Sequence, residues 1–270
     1  MERSGETGSQ PQQQALLGAW TVHAYDTLGS TQDVAAAMPA WSAVRAVEQT
    51  AGRGTRRRSF VSDNGGLYLT AVLPFDGNST AWRGFALAVG LSIVEQFQFN
   101  GIAHLRLRWP NDLMICERKV GGILVAQGNP DTLCIGMGLN VRNRPWLADP
   151  ALKATSCRLA DFVPDGRLDL DALTLLLLEA VRQAFMSFPH RRLQGLIGAL
   201  NQSLGGPREV RLEMEGSPEE TGLFIGLDPE GDLMLRQPDG SLRRAPHHRV
   251  NRLRELQAGA PVSSSPEPVG

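Results

Sequence analysis

Four strand-like segments follow one another between residues 105 and 141, and this run constrains the fold more than any other part of the sequence. The segments are 105–109, 112–116, 120–127 and 133–141, and only short turns separate them. In the first segment apolar residues alternate with arginines, which is typical of a strand with one solvent-facing side. Successive strands joined by short turns pair as hairpins, so the run favours an antiparallel or mixed sheet.

Other segments add helices and further strands to this sheet. Strands are predicted at 22–25, 43–47 and 66–73, and helices at 31–38, 80–99, 168–188 and 191–204. Ser30 or Thr31 caps the first helix and Pro39 ends it. The predicted fold class is therefore α+β, with helices packed on a mixed or antiparallel sheet.

The pattern changes at Gly205-Gly206-Pro207, beyond which only short strands and turn signals remain. Proline fixes φ and glycine supplies positive φ in the turns at 229–232 and 238–240. Four or five strands there predict a small β-barrel. We expect a disordered arm at 1–18, a main domain at 19–206, the β-barrel at 207–256 and a disordered tail at 257–270.

The composition excludes several classes of protein. Lysine and arginine number 27 against 28 aspartate and glutamate, a net charge of −1 that argues against a general nucleic-acid binder. No run reaches about 18 apolar residues, so no membrane span is predicted. Three cysteines without a CxxC pair favour reduced thiols in a cytoplasmic protein. The five histidines lack metal-ligand spacing, so no residue is assigned to a metal.

The segment 49–60 is rich in glycine and arginine. Glycines let the backbone approach a ligand and aim successive N–H groups at an anion, while arginines donate to phosphate or carboxylate. The G-x-x-x-x-G-K-[ST] pattern of a Walker A loop is absent. On this motif alone, a solvated basic loop explains the same residues equally well.

Two further motifs follow. Arg108-Trp109-Pro110-Asn111-Asp112 and Lys119-Val120-Gly121-Gly122 flank one hairpin-like turn, so Asp112 and Lys119 are predicted to converge at one end of the sheet. Gly136-Met137-Gly138-Leu139-Asn140 ends a strand and lacks the dinucleotide-binding fingerprint. Taken singly, each motif also fits an ordinary turn or bulge.

The chemistry available is that of cations, glycines and one acid, with no evident nucleophile. Neither a G-x-S-x-G elbow nor an H-E-x-x-H motif is present. A reaction in which the carboxylate of the substrate attacks a nucleotide phosphate needs only such groups, because the enzyme must neutralise and align two anions.

In this order the motifs resemble the biotin protein ligase (biotin–[acetyl-CoA-carboxylase] ligase) family, well over roughly residues 25–161 and weakly beyond. The matching segments are Ser30-Thr31-Gln32, Gln49 with Gly52-Arg53-Gly54, Arg108-Trp109-Pro110-Asn111-Asp112, Lys119-Val120-Gly121-Gly122-Ile123-Leu124, Gly138-Leu139-Asn140 and Ala154-Thr155-Ser156. The resemblance implies a class II aminoacyl-tRNA-synthetase-like catalytic domain of the biotin/lipoate ligase type at 19–206, and an SH3-like β-barrel at 207–256.

The resemblance also implies an activity. Biotin and ATP, with Mg²⁺, would form biotinyl-5′-AMP, and the biotinyl group would pass to a lysine of the biotin carboxyl carrier domain of a carboxylase. About 20 residues precede the first strand, too few for the N-terminal helix-turn-helix of many members, so no DNA binding is expected. Members of this family often dimerise, which leaves a homodimer open.

By position, the resemblance gives each matching residue a role. Lys119, Arg53 and Asp112 are the expected catalytic residues. Lys119 would bridge the biotin carboxylate and the α-phosphate, and Asp112 would orient or deprotonate the incoming amine. The expected biotin-binding residues are Ser30, Thr31, Gln32, Gln49, Gly52, Arg53, Gly54, Thr55, Lys119 and Gly122. The expected nucleotide-binding residues are Arg56, Arg58, Phe60, Asn111 and Asn140.

Four positions depart from the family pattern. Thr55 replaces an arginine, Arg57 a glycine and Arg108 a lysine, and Phe60 stands where a tryptophan often stacks on adenine. Thr55 donates one hydrogen bond but cannot neutralise a phosphate, so we expect the loop to retain biotinyl-5′-AMP less tightly than a loop with all its arginines.

Two alternatives stay open. A lipoate–protein ligase or octanoyltransferase shares the fold and a lysine-centred site, although the Gly-Arg-Gly loop and the Trp-Pro-Asn-Asp box favour biotin. A catalytically weak protein that only binds biotinyl-AMP or a carrier domain is the other alternative. Thr55 favours that reading, while Lys119 and Asp112 argue against it.

Overall fold

The computed structural model describes residues 13–102 and 104–256. The chain divides into two compact units, one ending at Leu196 and the other beginning at Ile197. Residues 197–206 therefore group with the second unit rather than the first. Asn201 explains why, because its side chain donates to the Leu227 carbonyl at 3.1 Å and accepts from the Leu227 N–H at 2.7 Å.

The helices and strands have the following bounds. The first unit contains β1 (Gln13–Leu17), β2 (Trp20–Leu28), α1 (Thr31–Ala35), β3 (Ser42–Gln49), β4 (Leu67–Pro74), α2 (Phe85–Phe99), β5 (Arg106–Arg108), β6 (Asp112–Ile115), β7 (Arg118–Gln127), β8 (Thr132–Leu139) and α3 (Leu170–Arg191). The second contains α4 (Ile197–Leu204), β9 (Arg208–Met214), β10 (Glu220–Leu227), β11 (Leu233–Arg236), β12 (Leu242–Ala245) and β13 (Val250–Glu255).

The first unit is built on an eight-stranded mixed sheet with the order β1-β2-β3-β4-β8-β7-β6-β5. Strands β2 and β3 are parallel, with α1 in the crossover between them, and the other neighbours are antiparallel. The last four strands follow one another as hairpins, as the run at 105–141 predicted. The predicted mixed sheet with helices packed on it is confirmed.

The core of this unit lies around β4, in which seven of eight residues are buried. Such a continuous apolar run is typical of a strand covered on both faces, and α1 and α3 both contact it. Helix α2 packs against α3 and buries ten of its fifteen residues. This double cover makes the central strands a rigid base for the site described below.

Three of the predicted helices differ from the structure for reasons that the structure shows. Helix α2 begins at Phe85 rather than at residue 80, because Gly84 before it takes φ +81° and residues 80–83 form turns. Helix α1 ends at Ala35 and continues to residue 38 only as hydrogen-bonded turns. The helix predicted at 191–204 is broken, with a 3-10 turn at Gln194–Leu196 before α4.

The N-terminal arm predicted to be disordered through residue 18 is a strand from Gln13 to Leu17. Its register against β2 runs from Gln13 opposite Ala24 to Leu17 opposite Trp20. Pairing with β2 supplies the backbone hydrogen bonds of this strand, which the local sequence does not predict. Residues 1–12 of the predicted arm, and the predicted tail at 257–270, lie outside the described residues.

The second unit carries a five-stranded antiparallel sheet with the order β12-β11-β10-β9-β13. It confirms the predicted number of strands, while closure into an SH3-like barrel stays a prediction. Within residues 13–102 and 104–256, no helix is long and apolar enough to cross a membrane.

Candidate active site

A glycine-lined face crosses five neighbouring strands of the sheet, β5, β6, β7, β8 and β4. In the strand register, Arg108 lies opposite Asp112, Asp112 opposite Gly122, Gly122 opposite Gly138 and Gly138 opposite Tyr68. Residues directly opposite in a ladder point to the same face. The row therefore places two glycines between an acidic residue on β6 and an aromatic one on β4.

Lys119 and Phe60 occupy the space that these two glycines leave open. A Cβ built on Gly122 would lie 3.3 Å from Lys119 Nζ, and one built on Gly138 would lie 2.6–2.7 Å from Phe60 ring atoms. Lys119 Nζ lies 5.7 Å from the centroid of the Phe60 ring, within cation–π distance. The glycine-rich loop and the two later motifs thus meet here, which the separate patterns in the sequence do not establish.

Asp112 binds two cations at one end of this face. Its Oδ1 lies 2.6 Å from Lys119 Nζ, and its Oδ2 lies 2.6 Å from Arg108 Nη2. Burial alone would raise the pKa of Asp112, but the charges of Lys119 and Arg108 outweigh it and leave that pKa below its ordinary value. The carboxyl group is therefore ionised at neutral pH, and the predicted convergence of Asp112 and Lys119 is what the geometry gives.

The backbone of Lys119 is held from a second side. Its N–H donates to the Thr155 carbonyl at 2.8 Å, and its own carbonyl accepts from the Cys157 N–H at 2.9 Å. This bridge explains structurally why Ala154-Thr155-Ser156 follows the other motifs. The Trp109–Pro110 peptide bond in the box that contains Asp112 is cis.

At the other end, the short helix α1 presents polar side chains to the same sheet. Ser30 caps the helix, accepting from the Gln32 N–H at 3.3 Å. Gln49 Oε1 accepts from the Thr31 N–H at 2.8 Å, and the Thr31 and Thr70 hydroxyl oxygens are 2.8 Å apart. These buried groups form a polar cluster that lies two residues along β4 from the row of Tyr68.

The glycine-rich loop folds back on itself as a small hairpin. The Phe60 N–H donates to the Gly52 carbonyl at 2.8 Å, and the Gly54 N–H donates to the Arg58 carbonyl at 2.7 Å. A Cβ on Gly52 would lie 2.4 Å from the Phe60 carbonyl oxygen, so the close approach of the two arms requires glycine there. Arg56 takes the left-handed conformation with φ +59°, and Arg57 needs no such conformation.

Arg53 and Arg58 of this loop both have protein partners. Arg53 Nη2 lies 2.8 Å from Asp33 Oδ1 on α1, and Arg58 donates to the Thr55 hydroxyl at 3.2 Å. Both ion-pair partners Arg53 and Asp33 are about half exposed, so this pair contributes little to stability and can open toward an anionic ligand.

The two asparagines predicted to bind nucleotide are held by the protein itself. Asn111 Nδ2 donates to the Ile123 carbonyl at 2.5 Å. Asn140 Nδ2 donates to the Cys157 carbonyl at 3.1 Å, and its Oδ1 accepts from Asn143 at 3.1 Å. These contacts tie Asn111 to the middle of β7 and hold the segment that follows β8, and a direct role toward nucleotide stays a prediction.

Three residues of the site were missed in the sequence. Thr70 and Ser62 complete the polar cluster around Gln49, and Asn143 orients Asn140. Thr70 lies inside an apolar strand, where a lone hydroxyl residue on the core side is a detectable signal. Ser62 forms an isolated β-bridge with Gln49 and Asn143 lies in a loop, and neither gives such a signal.

The described residues hold no group of three or more histidine, cysteine, aspartate or glutamate side chains that would bind a metal ion. The three cysteines are unpaired, and burial raises the pKa of Cys134 and of Cys157 to about 11. These two thiols are therefore protonated and inert at neutral pH, as the sequence indicated.

Comparison with known proteins agrees with this geometry. The sequence model of the biotin/lipoate A/B protein ligase family matches residues 28–140. The bifunctional ligase/repressor BirA of Escherichia coli is 29% identical over 203 residues, which cover 72% of this chain and 61% of BirA. The biotin–[acetyl-CoA-carboxylase] ligase of Paracoccus denitrificans is 29% identical over 213 residues, which cover 74% of this chain and 85% of that protein.

Solved structures similar to this chain include biotin protein ligases. The biotin protein ligase from Aquifex aeolicus in complex with biotin and ATP superposes with a TM-score of 0.74 at 25% identity, over 87% of this chain and 99% of that one. This chain spans only about three fifths of the length of its Escherichia coli and Salmonella typhimurium relatives.

A mixed sheet with a glycine-lined face, a lysine–aspartate pair at one end and a buried polar cluster at the other defines a ligase fold of the biotin and lipoate class. Within that class, the chain is similar to the biotin protein ligases, which include the relatives and the solved structure described above.

Proposed function

We propose that this chain is an ATP-dependent biotin–protein ligase. It would activate biotin as biotinyl-5′-AMP and pass the biotinyl group to a lysine of a biotin carboxyl carrier domain. The observation that carries the proposal is the glycine-lined face between the Lys119–Asp112 pair and the polar cluster around Thr31. Such a face fits an elongated ligand with a carboxylate at one end and a hydrogen-bonding head at the other.

The polar cluster favours biotin over lipoate. Thr31 and Gln49 bring several hydrogen-bonding groups together at this end of the face. A ureido ring has one acceptor and two N–H donors that can add hydrogen bonds to these groups, whereas a dithiolane ring or hydrocarbon chain would cover them without offering any. This difference supports a ureido ligand.

In the first step, a carboxylate oxygen of biotin attacks the α-phosphorus of ATP, the bond from that phosphorus to the bridging oxygen breaks, and pyrophosphate leaves. Both reactants are anions, so the rate depends on cations placed between them. Lys119 is fixed for this task by Asp112 and by the backbone of 155–157. Arg53 would add a second cation once it leaves Asp33.

In the second step, the amine of the carrier lysine attacks the carbonyl carbon of the mixed anhydride, and AMP leaves. Asp112 is ionised and paired with two cations, which makes it a weak proton acceptor. Its role would therefore be to attract and orient the incoming ammonium group, with the proton leaving to solvent. Of the two roles that the sequence left open for Asp112, orienting the amine and deprotonating it, this favours orienting it.

The nucleotide would lie on the Phe60 side of the face. The ring of Phe60 packs on Gly138 and turns an edge toward Tyr68, with centroids 6.4 Å apart. It offers a stacking surface for adenine, although a smaller one than tryptophan. Mg²⁺ usually binds substrate phosphates with only one or two carboxylates, so it would enter with ATP and neutralise the leaving pyrophosphate.

Incubation with ATP, Mg²⁺, labelled biotin and a purified carrier domain tests the proposal. Label on the carrier lysine, located by mass spectrometry, is the expected result. A parallel reaction with labelled lipoate separates the two ligase types, since lipoate transfer in place of biotin transfer would identify a lipoate ligase. Tight binding of biotinyl-AMP with no transfer to any carrier would identify a binding protein instead.

A further inference from the structure

A chain of buried side chains joins the polar cluster to the centre of the sheet. The Thr31 hydroxyl lies 2.8 Å from the Thr70 hydroxyl, and the Thr70 hydroxyl lies 3.1 Å from Gln32 Oε1. Gln32 Nε2 then donates to the Cys134 carbonyl at 3.2 Å. This series of hydrogen bonds runs from α1 through β4 to β8 and ends on a backbone carbonyl of the sheet.

Backbone groups fix the orientation of the Gln32 side-chain amide and of the Gln49 amide beside Thr31. Gln32 must point its NH₂ group at the Cys134 carbonyl, which leaves Oε1 facing Thr70. Gln49 must point Oε1 at the Thr31 N–H, because only an acceptor satisfies that donor. A Cβ on Gly136 would lie 2.7 Å from Gln32 Oε1, so glycine at this position is what admits the Gln32 side chain.

The number of hydrogens then sets the direction of the chain. Two hydroxyl groups, Thr31 and Thr70, have three close acceptors between them but only one hydrogen each. If Thr70 donated to Thr31, Gln32 Oε1 would be buried without its donor. Gln49 Oε1 is already satisfied by a backbone N–H, so Thr31 can donate to Thr70 at no such loss. In the arrangement that gives every group a partner, the Thr31 hydroxyl donates to the Thr70 hydroxyl, and the Thr70 hydroxyl donates to Gln32 Oε1.

We propose that Thr70 and Gln32 are positioning residues that commit the Thr31 hydroxyl hydrogen to the protein interior, so that its oxygen accepts a hydrogen bond from a ligand N–H. The inference rests on the proposed function, in which the ligand is biotin and the N–H belongs to its ureido ring. Thr31 is only 4% exposed, so a ligand group of the wrong polarity would be desolvated without a partner there. Thr70 and Gln32 thereby select for a ureido donor without contacting it.

Thr70→Val tests the inference because it removes the acceptor for Thr31 while keeping the shape of the side chain. We expect the Kd for biotin, measured by calorimetry, to rise about tenfold, which is about 1.4 kcal/mol. The kcat at saturating biotin and the KM for ATP should stay unchanged, and Thr70→Ser should restore the Kd to within about twofold. The matched control is Thr174→Val, which removes another fully buried threonine hydroxyl, on α3 and away from the face.

Biotin methylated at one or the other ureido nitrogen gives the decisive readout. In the wild-type protein, methylation of the nitrogen that faces Thr31 should weaken binding, and this penalty should shrink several-fold in Thr70→Val. An equal penalty in both proteins, or an unchanged Kd for biotin in Thr70→Val, overturns the inference. If Thr70→Val does not fold, the second variant is Gln32→Met, which removes the acceptor of the Thr70 hydroxyl. The loss of affinity caused by methylating the ureido nitrogen is then measured in that variant. If the wild-type protein binds labelled ATP but does not bind biotin, that result contradicts the proposed function itself, and the inference that rests on it.

Discussion

The Asp112→Asn substitution tests how much the site depends on one carboxylate held between two cations. Asparagine has nearly the same shape, so the change removes the charge and leaves the packing. Lys119 and Arg108 would then face each other without a counter-ion, since both lie 2.6 Å from Asp112. The stability of the first unit and the second half-reaction should both fall.

The magnitude follows from burial. Removing one partner of a fully buried ion pair costs about 3–5 kcal/mol, but here the side chains of Asp112, Arg108 and Lys119 are 18%, 22% and 32% exposed. Solvent screening at that exposure reduces the expected loss to about 2 kcal/mol. At roughly 2–4 °C per kcal/mol for a unit of this size, the Tm should fall by about 4–8 °C.

The pH dependence has a definite sign. The pKa of Asp112 is lower in the folded protein than in the unfolded chain, so its contribution is present above the ordinary carboxyl range and lost as the pH falls through the lowered value. The difference in stability between the wild-type protein and Asp112→Asn should therefore disappear in strong acid. Thermal unfolding followed at pH 7 and again below about pH 3 measures the gap.

Activity is measured in the same variant by separating the half-reactions. Adenylate formation should persist at a reduced rate, because both cations remain but Lys119 loses the carboxylate that holds it. Transfer to the carrier lysine should slow more, by at least about tenfold, because the ammonium group is no longer attracted. Glu179→Gln is the control, since it breaks a bidentate but well-exposed pair with Arg182 on α3 and should change the Tm by little. Equal Tm values for wild type and Asp112→Asn at pH 7, or equal transfer rates, would refute the reasoning.

Two further substitutions probe the nucleotide side. Gly138→Ala would place a methyl group 2.6 Å from the Phe60 ring, where ordinary contact begins at 3.4 Å. Displacement of the ring should raise the KM for ATP several-fold and leave the KM for biotin unchanged. The control is Gly166→Ala, whose methyl group would meet nothing within 4 Å and should alter neither KM. Thr55→Arg adds a cation and frees Arg58 from the Thr55 hydroxyl, so release of biotinyl-5′-AMP should slow about tenfold; an unchanged off-rate would show that Thr55 does not limit retention.

The sheet was predictable because its signals are local. The run at 105–141 alternates and turns at short intervals, which is the pattern of hairpins wherever they occur. Strand β1 was missed because its pairing with β2 comes from tertiary structure, while its own five residues, two glutamines followed by Ala15, Leu16 and Leu17, do not alternate as a strand pattern would. The start of α2 was placed too early because nothing in the apolar spacing reveals that Gly84 takes a positive φ.

The candidate site was predictable as a set of residues but not as an arrangement. The motifs pointed to Lys119, Asp112 and the loop, yet only the register shows that Gly122 and Gly138 lie side by side beneath Lys119 and Phe60. The pairing of Arg53 with Asp33 was not foreseeable either, because charged side chains on separate elements meet through the fold.

The central claim is that Lys119 supports activation of a biotin carboxylate by ATP, and biotin-dependent exchange of labelled pyrophosphate into ATP measures that step alone. Exchange should require biotin in the wild-type protein and disappear in Lys119→Ala, because the two anions lose the cation fixed between them. Wild-type protein without biotin-dependent exchange, or Lys119→Ala with exchange at the wild-type rate, would contradict it.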